Sequence, residues 1–136
     1  MLSPKTTKYN KYHYGRMKGK AKKGNKIVYG QLALQSLESS WISSRQIETI
    51  RRVIARHTKR GVNLWFRIFP DKTVTNRASE SRMGSGKGSV THWIAVLKPG
   101  TIIVEIKINF IPLEIAIEAL KLVNYKLPFK TKIIEL

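Results

Sequence analysis

The sequence predicts an α+β fold, in which two helices cover a mainly antiparallel sheet within one compact domain. The 136 residues are the length of a single domain. Two stretches carry apolar residues at helical spacing, and five short runs are rich in β-branched and aromatic residues. Their order is strand, helix, three strands, helix, strand, which favours this class. We expect the domain over residues 27–136, preceded by an extended basic N-terminal arm over residues 1–26.

The first predicted strand covers residues 27–37, and Gly30 within it indicates a bulge or a close approach of two backbones. The first predicted helix covers residues 44–60. Ser43 and Gln46 have the spacing of a capping box, which satisfies two N–H groups at a helix start. Gly61 is expected to end this helix.

Three more strands are predicted between the helices. Residues 62–69 alternate between two faces. Residues 90–97 and 101–108 flank a Lys-Pro-Gly segment, which predicts a hairpin with a short loop. Its second arm carries isoleucine or valine at every second position, with Glu105 on the opposite face, so we expect this arm to be half buried.

The second predicted helix begins at Pro112, because proline is favoured at a helix start. Its expected packing stripe consists of Leu113, Ala116, Ile117 and Leu120. Residues 131–136 are expected to return to the sheet as the last strand.

The charge balance indicates a polyanionic partner. The chain contains 26 Lys and Arg residues against 8 Asp and Glu residues, a net charge of +18. Nucleic acid phosphate is the usual partner of so basic a protein. A membrane surface is disfavoured, because no apolar run reaches the ~20 residues of a spanning helix and no amphipathic anchoring helix is visible. The lack of cysteine excludes disulfides and zinc–thiolate sites.

The N-terminal arm is basic throughout, since the first acidic residue of the chain is Glu38. It contains too few aliphatic residues to form a core, so we expect it to become ordered on an anion. Aromatic rings among its cations are suited to stacking on unpaired bases. The candidate RNA-binding residues of the arm are Lys5, Lys8, Tyr9, Lys11, Tyr12, His13, Arg16, Lys18, Lys20, Lys22, Lys23 and Lys26.

The first predicted helix has one apolar side, and its other faces are basic. Glu48 is the one acid among these cations, whereas an ordinary solvated helix mixes charges of both signs. The excess favours docking on phosphates. The candidate RNA-binding residues of this helix are Arg45, Arg51, Arg52, Arg56, Lys59 and Arg60.

A glycine-rich loop covers residues 81–89. Glycines at every second position permit positive φ and let backbone N–H groups approach a phosphate closely. The phosphate loop of nucleotide-hydrolysing enzymes needs Gly at position 81 and Ser or Thr at position 88, where this chain has Ser81 and Gly88. The dinucleotide-binding pattern fails at Ser89. The loop therefore suits phosphate without indicating nucleotide hydrolysis.

Several segments occur in the order and spacing of one known family. They are Met1-Leu2-Ser3-Pro4-Lys5, Ser43-Ser44-Arg45-Gln46-Ile47-Glu48, Trp65-Phe66-Arg67-Ile68-Phe69-Pro70-Asp71-Lys72 and Arg82-Met83-Gly84-Ser85-Gly86-Lys87-Gly88. Over nearly its whole length the chain resembles large-subunit ribosomal protein sixteen, in the bacterial nomenclature. It departs from the family pattern at Thr73, where proline is usual, and at His92, where another aromatic residue is usual.

The resemblance implies a structural constituent of the large ribosomal subunit, with large-subunit rRNA, tRNA and neighbouring ribosomal proteins as partners. It places the protein beside the peptidyl-transferase centre and the tRNA acceptor arms. The residues of the loop that it directs toward that centre are Arg82, Met83, Gly84, Ser85, Gly86, Lys87 and Gly88. No catalytic residue, metal, cofactor, membrane or homo-oligomer is expected. The opening residues and Ser85 resemble plastid-encoded members, which favours a plastid ribosome over a bacterial cytoplasm.

Two other functions remain open. A basic nucleic-acid-binding protein outside the ribosome has the same charge excess, and a phosphate-loop enzyme would depend on Lys87. The enzyme is the weaker alternative, because His13, His57 and His92 show no ligand spacing and Asp71 is the only aspartate.

Overall fold

The computed structural model describes residues 2–136 and confirms the α+β fold. Its first sheet has the strand order β3-β6-β1-β7 and its second has the order β2-β5-β4, and all pairings are antiparallel. In chain order the elements are β1 (Leu32–Ser36), β2 (Ser40–Ser43), α1 (Ser44–His57), β3 (Val62–Phe66), β4 (Lys72–Asn76), β5 (Ser89–Leu97), β6 (Ile102–Ile108), α2 (Leu113–Asn124) and β7 (Thr131–Glu135).

The predicted hairpin is wrong, because β5 and β6 belong to different sheets. β5 pairs with β2 and β4, whereas β6 pairs with β1 and β3. The connection between them is a corner at Gly100, which has a φ of 93° and donates its N–H to the Ser36 carbonyl at 2.7 Å. Strands β2 and β4 were not predicted, because neither shows apolar alternation: Trp41 and Ile42 of β2 are adjacent, and Val74 is the one apolar residue of β4.

Strand β6 is buried on both faces, not on one as predicted. All residues from Ile102 to Ile106 are buried. The predicted close approach at Gly30 is confirmed, because the chain before β1 crosses over the backbone of β6 there. A Cβ at Gly30 would lie 2.7 Å from the Ile106 carbonyl oxygen. Only glycine fits at this crossing.

A buried carboxylate joins that crossing segment to the first sheet. Glu105 is fully buried, and its Oε2 accepts N–H bonds from Val28 at 3.1 Å, Tyr29 at 2.6 Å and Gly30 at 2.9 Å. The Arg67 guanidinium donates to Oε1. Burial acts to raise the pKa of Glu105, but these four donors outweigh it and hold the pKa below its ordinary value of 4.5.

The same segment is held by aromatic contacts. The Arg67 guanidinium lies 5.3 Å from the Tyr29 ring centroid, and that ring stacks on Trp65 with centroids 6.0 Å apart. Arg67 therefore contacts both the buried carboxylate and the chain that leads out of the basic arm.

The start of α1 confirms the predicted capping box. The Ser43 hydroxyl accepts the Gln46 N–H at 3.2 Å, and the Gln46 side chain accepts the Ser43 N–H at 2.8 Å. Ile47, Ile50 and Ile54 face the core. The cationic residues of the helix therefore lie on its outer surface.

The end of α1 differs from the prediction, because the helix ends at His57 and Gly61 does not terminate it. Lys59 and Arg60 adopt positive φ angles of 48° and 63°. The Arg60 N–H donates to the Ala55 carbonyl at 3.0 Å, the bond of a Schellman motif. Two cations therefore form the turn that glycine was expected to form.

Helix α2 and strand β7 confirm their predictions in position, but the packing stripe of α2 is partly wrong. The buried residues are Ala116, Ala119, Leu120 and Val123, while Leu113 is exposed and Ile117 only partly buried. The stripe is rotated because α2 packs against α1 as well as against β6 and β7.

Replacing Glu105 with glutamine should destabilise the fold by about 3 kcal/mol. Glutamine keeps the shape but offers one acceptor oxygen, so either Arg67 or the backbone N–H groups lose their partner inside the protein. Urea denaturation followed by circular dichroism measures the change. Glu38→Gln, at an exposed position, is the control and should cost less than about 0.5 kcal/mol. Equal effects would contradict the anchoring role of Glu105.

The carboxylate should also make stability depend on pH. Because the folded-state pKa of Glu105 lies below 4.5, its contribution is fully present above that pH and is lost as the pH falls through the folded-state value. The difference in unfolding free energy between wild type and Glu105→Gln should therefore shrink as the pH falls below 4.5. A difference that stays constant over this range would show that the carboxylate is not selectively stabilised by folding.

Candidate nucleic-acid interface

Most cations of the chain have no carboxylate partner. Within residues 2–136, only Arg51, Arg52 and Arg67 among the lysines and arginines form salt bridges. None of the cations of the arm does so over the same range. The remaining charge is not neutralised inside the protein, which is the condition for binding an external polyanion.

The N-terminal arm crosses the second sheet, and its described residues form no helix or strand. Two residues of β4 hold its backbone: the Thr73 hydroxyl donates to the Asn10 carbonyl at 2.9 Å, and the Lys72 ammonium group donates to the Tyr14 carbonyl. The Tyr14 ring lies 5.0 Å from the ring of Trp41 on β2. Thr73, a departure from the family pattern, is thus a contact residue of the arm.

Further bonds hold the arm as far as the segment bound by Glu105. The Ser39 hydroxyl donates to the Met17 carbonyl at 2.8 Å, and the Ala21 N–H donates to the Pro99 carbonyl at 2.9 Å. The Gly24 carbonyl accepts the N–H of Ile102, the first residue of β6. The arm therefore follows one path along the domain, with its cationic side chains exposed along most of it.

The glycine-rich loop connects β4 to β5. Three successive residues, Gly84, Ser85 and Gly86, have positive φ angles of 108°, 59° and 89°. At the base of the loop, a Cβ on Gly88 would lie 2.4 Å from the Asn76 carbonyl oxygen, so only glycine fits there. The predicted need for positive φ is confirmed at Gly84 and Gly86, whereas Gly88 is required by close approach.

The loop and the arm are in contact. The Lys87 ammonium group donates to the Tyr12 carbonyl, and the Lys11 ammonium group donates to the Lys87 carbonyl at 3.1 Å. Arg82 has no hydrogen-bond partner within residues 2–136, and the neighbouring Met83 is 98% exposed. The loop therefore uses Lys87 internally and presents Arg82 to its surroundings.

The cations of α1 fall into two groups. Glu48 pairs with Arg51 at 2.6 Å and with Arg52 at 3.2 Å, and the hydrogen bond from Arg51 is the main cause that lowers the pKa of Glu48 to about 2. The four α1 and post-helix cations that form no salt bridge within the described chain are Arg45, Arg56, Lys59 and Arg60. Because Glu48 is the one acid of α1 and pairs with only two of its cations, most of the outer surface of the helix remains positive.

The structure gathers three of the predicted segments around the second sheet. The arm crosses β4, the loop joins β4 to β5, and Arg45 at the start of α1 lines a cleft with Thr91 and His92 of β5. Lys59 and Arg60 lie at the other end of α1, about 20 Å away along the helix. The candidate residues therefore form one extended surface, not a single pocket.

His57 and His92 make separate contacts within the domain. His57 lies 3.3 Å from Glu118 and joins α1 to α2. Within residues 2–136 no cluster of three metal-ligating side chains exists, and no helix of that range is long and apolar enough to span a membrane.

The prediction from sequence missed the residues that hold the interface together. Lys72 and Thr73 bind the arm, while Arg67 and Glu105 fix the segment that follows it. The sequence contained one signal for these contacts, because Glu105 is the one acid within an isoleucine-rich strand.

A mixed α+β domain that presents unpaired cations on an arm, a loop and one helix belongs to the class of basic polyanion-binding proteins. Residues 4–134 match the family Ribosomal protein L16p/L10e, and the chain belongs to that family. It is therefore a structural ribosomal protein and not an enzyme. The expected family and the non-enzymatic function are both confirmed.

Similar proteins are found in several algae. A protein of Trieres chinensis named large ribosomal subunit protein uL16c is 65% identical over 134 residues, covering 98% of this chain and 96% of the relative. Proteins of the same name are 62% identical over 135 residues in Stigeoclonium helveticum, covering 99% and 98%, and 61% over 132 residues in Cyanidium caldarium, covering 97% and 93%. Their plastid-type name confirms the expectation of a plastid member and a plastid ribosome.

Replacing Lys87 with methionine should loosen the arm. Loss of a hydrogen bond worth about 1 kcal/mol raises the undocked population roughly fivefold, so chymotryptic cleavage after Tyr12 should accelerate by that factor. Thr73→Val removes a separate contact of the arm and should act in the same direction. Lys126→Met, at an exposed lysine after α2, is the control. Cleavage at the control rate in both variants would show that these bonds do not hold the arm.

Proposed function

We propose that the arm and α1 clamp large-subunit rRNA, while residues 82–88 contact the tRNA acceptor arm beside the peptidyl-transferase centre. Family membership and the names of the relatives support the ribosomal setting. The observation that carries the RNA contacts is the charge distribution, because only three lysines and arginines within residues 2–136 pair with a carboxylate. An rRNA backbone supplies the missing anions.

The arm and α1 suit different parts of a folded RNA. The arm is narrow and carries exposed rings next to cations, with the Lys8 ammonium 5.5 Å from the Tyr9 ring centroid, so it fits between RNA helices. α1 is a rigid rod with cations along its outer surface, which suits the phosphates of a groove edge. The arm thus extends between RNA helices, and α1 fixes the orientation of the domain on the RNA.

The loop suits a closer contact. Gly84 and Gly86 have positive φ angles and no Cβ, so a ligand can approach their backbone closely, and Arg82 supplies a cation that forms no salt bridge within residues 2–136. Because Lys87 and Lys11 join the loop to the arm, rRNA bound to the arm would help to position the loop. This arrangement supports a role in orienting tRNA, not in chemistry.

Sedimentation of the tagged protein from a native lysate tests the proposed function. In magnesium buffer the protein should migrate with the large subunit, resist a moderate salt wash and be released by ribonuclease. Migration as a free 15.6 kDa species under all conditions would overturn the proposal.

Binding to an rRNA fragment should weaken with salt by roughly 0.7 to 0.9 logarithmic units per phosphate neutralised. Arg56→Ala should lower the magnitude of that slope by the amount expected for about one phosphate contact. The reason is that Arg56 is a cation of α1 without a carboxylate partner in the described chain. Lys121→Ala, on the less basic α2, removes the same charge and should leave the slope unchanged. Filter binding at several salt concentrations measures both, and equal slopes in the two variants would contradict the assignment of α1.

Arg82→Ala should impair peptide synthesis more than subunit assembly. The Arg82 side chain makes no hydrogen bond or salt bridge within residues 2–136, so its loss should leave the fold and rRNA docking intact while removing a charge near tRNA. Sucrose gradients measure assembly, and translation by purified variant ribosomes measures function. Full translation activity in such ribosomes would refute the tRNA contact.

A further inference from the structure

The first turn of α1 has hydrogen-bond donors that the helix itself does not use. A helix start leaves four N–H groups without intrahelical partners, and the capping box satisfies those of Ser43 and Gln46. The N–H groups of Ser44 and Arg45 have no intrahelical partner. The helix dipole adds partial positive charge at the same point, and both effects favour an anion.

A buried hydroxyl provides an independent indication of a ligand. Ser44 is only 2% exposed, and its Oγ has no hydrogen-bond partner within the described residues. A buried hydroxyl without a partner is costly, so a native structure is expected to satisfy it with a ligand or a water molecule. Ser44 lines both clefts that meet at the start of α1.

The two clefts differ in charge. The larger one, of about 650 Å³, includes Glu48 in its wall beside Arg52, so an anion there would face a carboxylate. The smaller one, of about 370 Å³, lies between α1 and β5 and has no acidic residue in its wall. Its lining residues are Ser43, Ser44, Arg45, Thr91 and His92. The smaller cleft is therefore the better anion site.

The β5 side of this cleft is fixed by hydrogen bonds. The Thr91 hydroxyl donates to the Val74 carbonyl at 3.1 Å and lies 3.0 Å from His92 Nδ1, so its oxygen can accept a hydrogen bond from Nδ1. The cleft thus combines backbone, hydroxyl and guanidinium donors beside an imidazole ring whose position Thr91 fixes.

We propose that this cleft binds one phosphate group of an RNA backbone. The groups that hold it are the Arg45 N–H group, the Ser44 hydroxyl and the Arg45 guanidinium. The inference rests on the proposed function for the source of the phosphate, because rRNA supplies it. β5 begins directly after the glycine-rich loop, so a phosphate here joins α1 to the base of that loop.

Nuclear magnetic resonance titration with inorganic phosphate at constant ionic strength tests the site itself. The amide signals of Ser44 and Arg45 should shift in a saturable way. Arg45→Ala should weaken binding roughly tenfold and Ser44→Ala severalfold, as expected for hydrogen bonds to a charged group. Lys121→Ala removes the same charge as Arg45→Ala and should bind phosphate as wild type does. Ser44→Ala should fold normally, since its hydroxyl has no partner to lose.

Two outcomes would overturn the site. Shifts spread evenly over lysines and arginines, or equal weakening by Arg45→Ala and Lys121→Ala, would show only diffuse charge attraction. A second titration with an rRNA fragment identifies the source of the phosphate. Shifts of Ser44 and Arg45 by both ligands support the proposal, whereas shifts by inorganic phosphate alone would overturn the RNA assignment.

The two proposals can fail separately. An rRNA fragment that binds the chain without shifting Ser44 and Arg45 would overturn this site and leave the proposed function standing. A fragment that does not bind the chain at all, beside a normal response to inorganic phosphate, would overturn the proposed function and the RNA source of this phosphate.

Discussion

The burial of the Glu105 carboxylate is the constraint on which the rest of the structure depends. A carboxylate inside a sheet is tolerated only if other donors replace water, and here three successive backbone N–H groups and Arg67 do so. The N–H groups belong to the chain that leaves the basic arm. One buried charge therefore determines where the arm joins the domain and which direction it takes across the sheets.

The division into two sheets determines where the binding segments lie. The first sheet carries Glu105 and the core contacts of α2, while the second carries the arm, the glycine-rich loop and the start of α1. Because β5 turns away from β6 at Gly100, the loop before β5 is placed beside the arm. A hairpin of β5 with β6 would have placed the loop at the edge of the first sheet instead.

The cations of the interface have two different tasks. Lys72 and Lys87 donate to carbonyl groups of the arm and so shape the surface, whereas Arg45, Arg56 and Arg82 form no salt bridge within the described chain and suit an external anion. This division explains how a chain with a net charge of +18 maintains a defined arm path. The Lys72 and Lys87 ammonium groups donate to backbone carbonyls, and the cations without a salt bridge suit an external anion such as an RNA phosphate.

Features that depend on neighbouring residues were determined by the sequence alone: the capping box at Ser43, the start of α2 after Pro112, the last strand and the excess of cations on the arm and α1. Features that depend on distant residues were decided only by the tertiary structure. The backbone donors to Glu105 lie 75 to 77 positions away and Arg67 lies 38 positions away, so alternation within β6 could not show that its polar face is buried. A cationic side chain can donate to a carbonyl as well as to a phosphate, so residue spacing could not show that Lys87 binds the arm while Arg82 does not. Only the position of the arm beside the loop shows this difference.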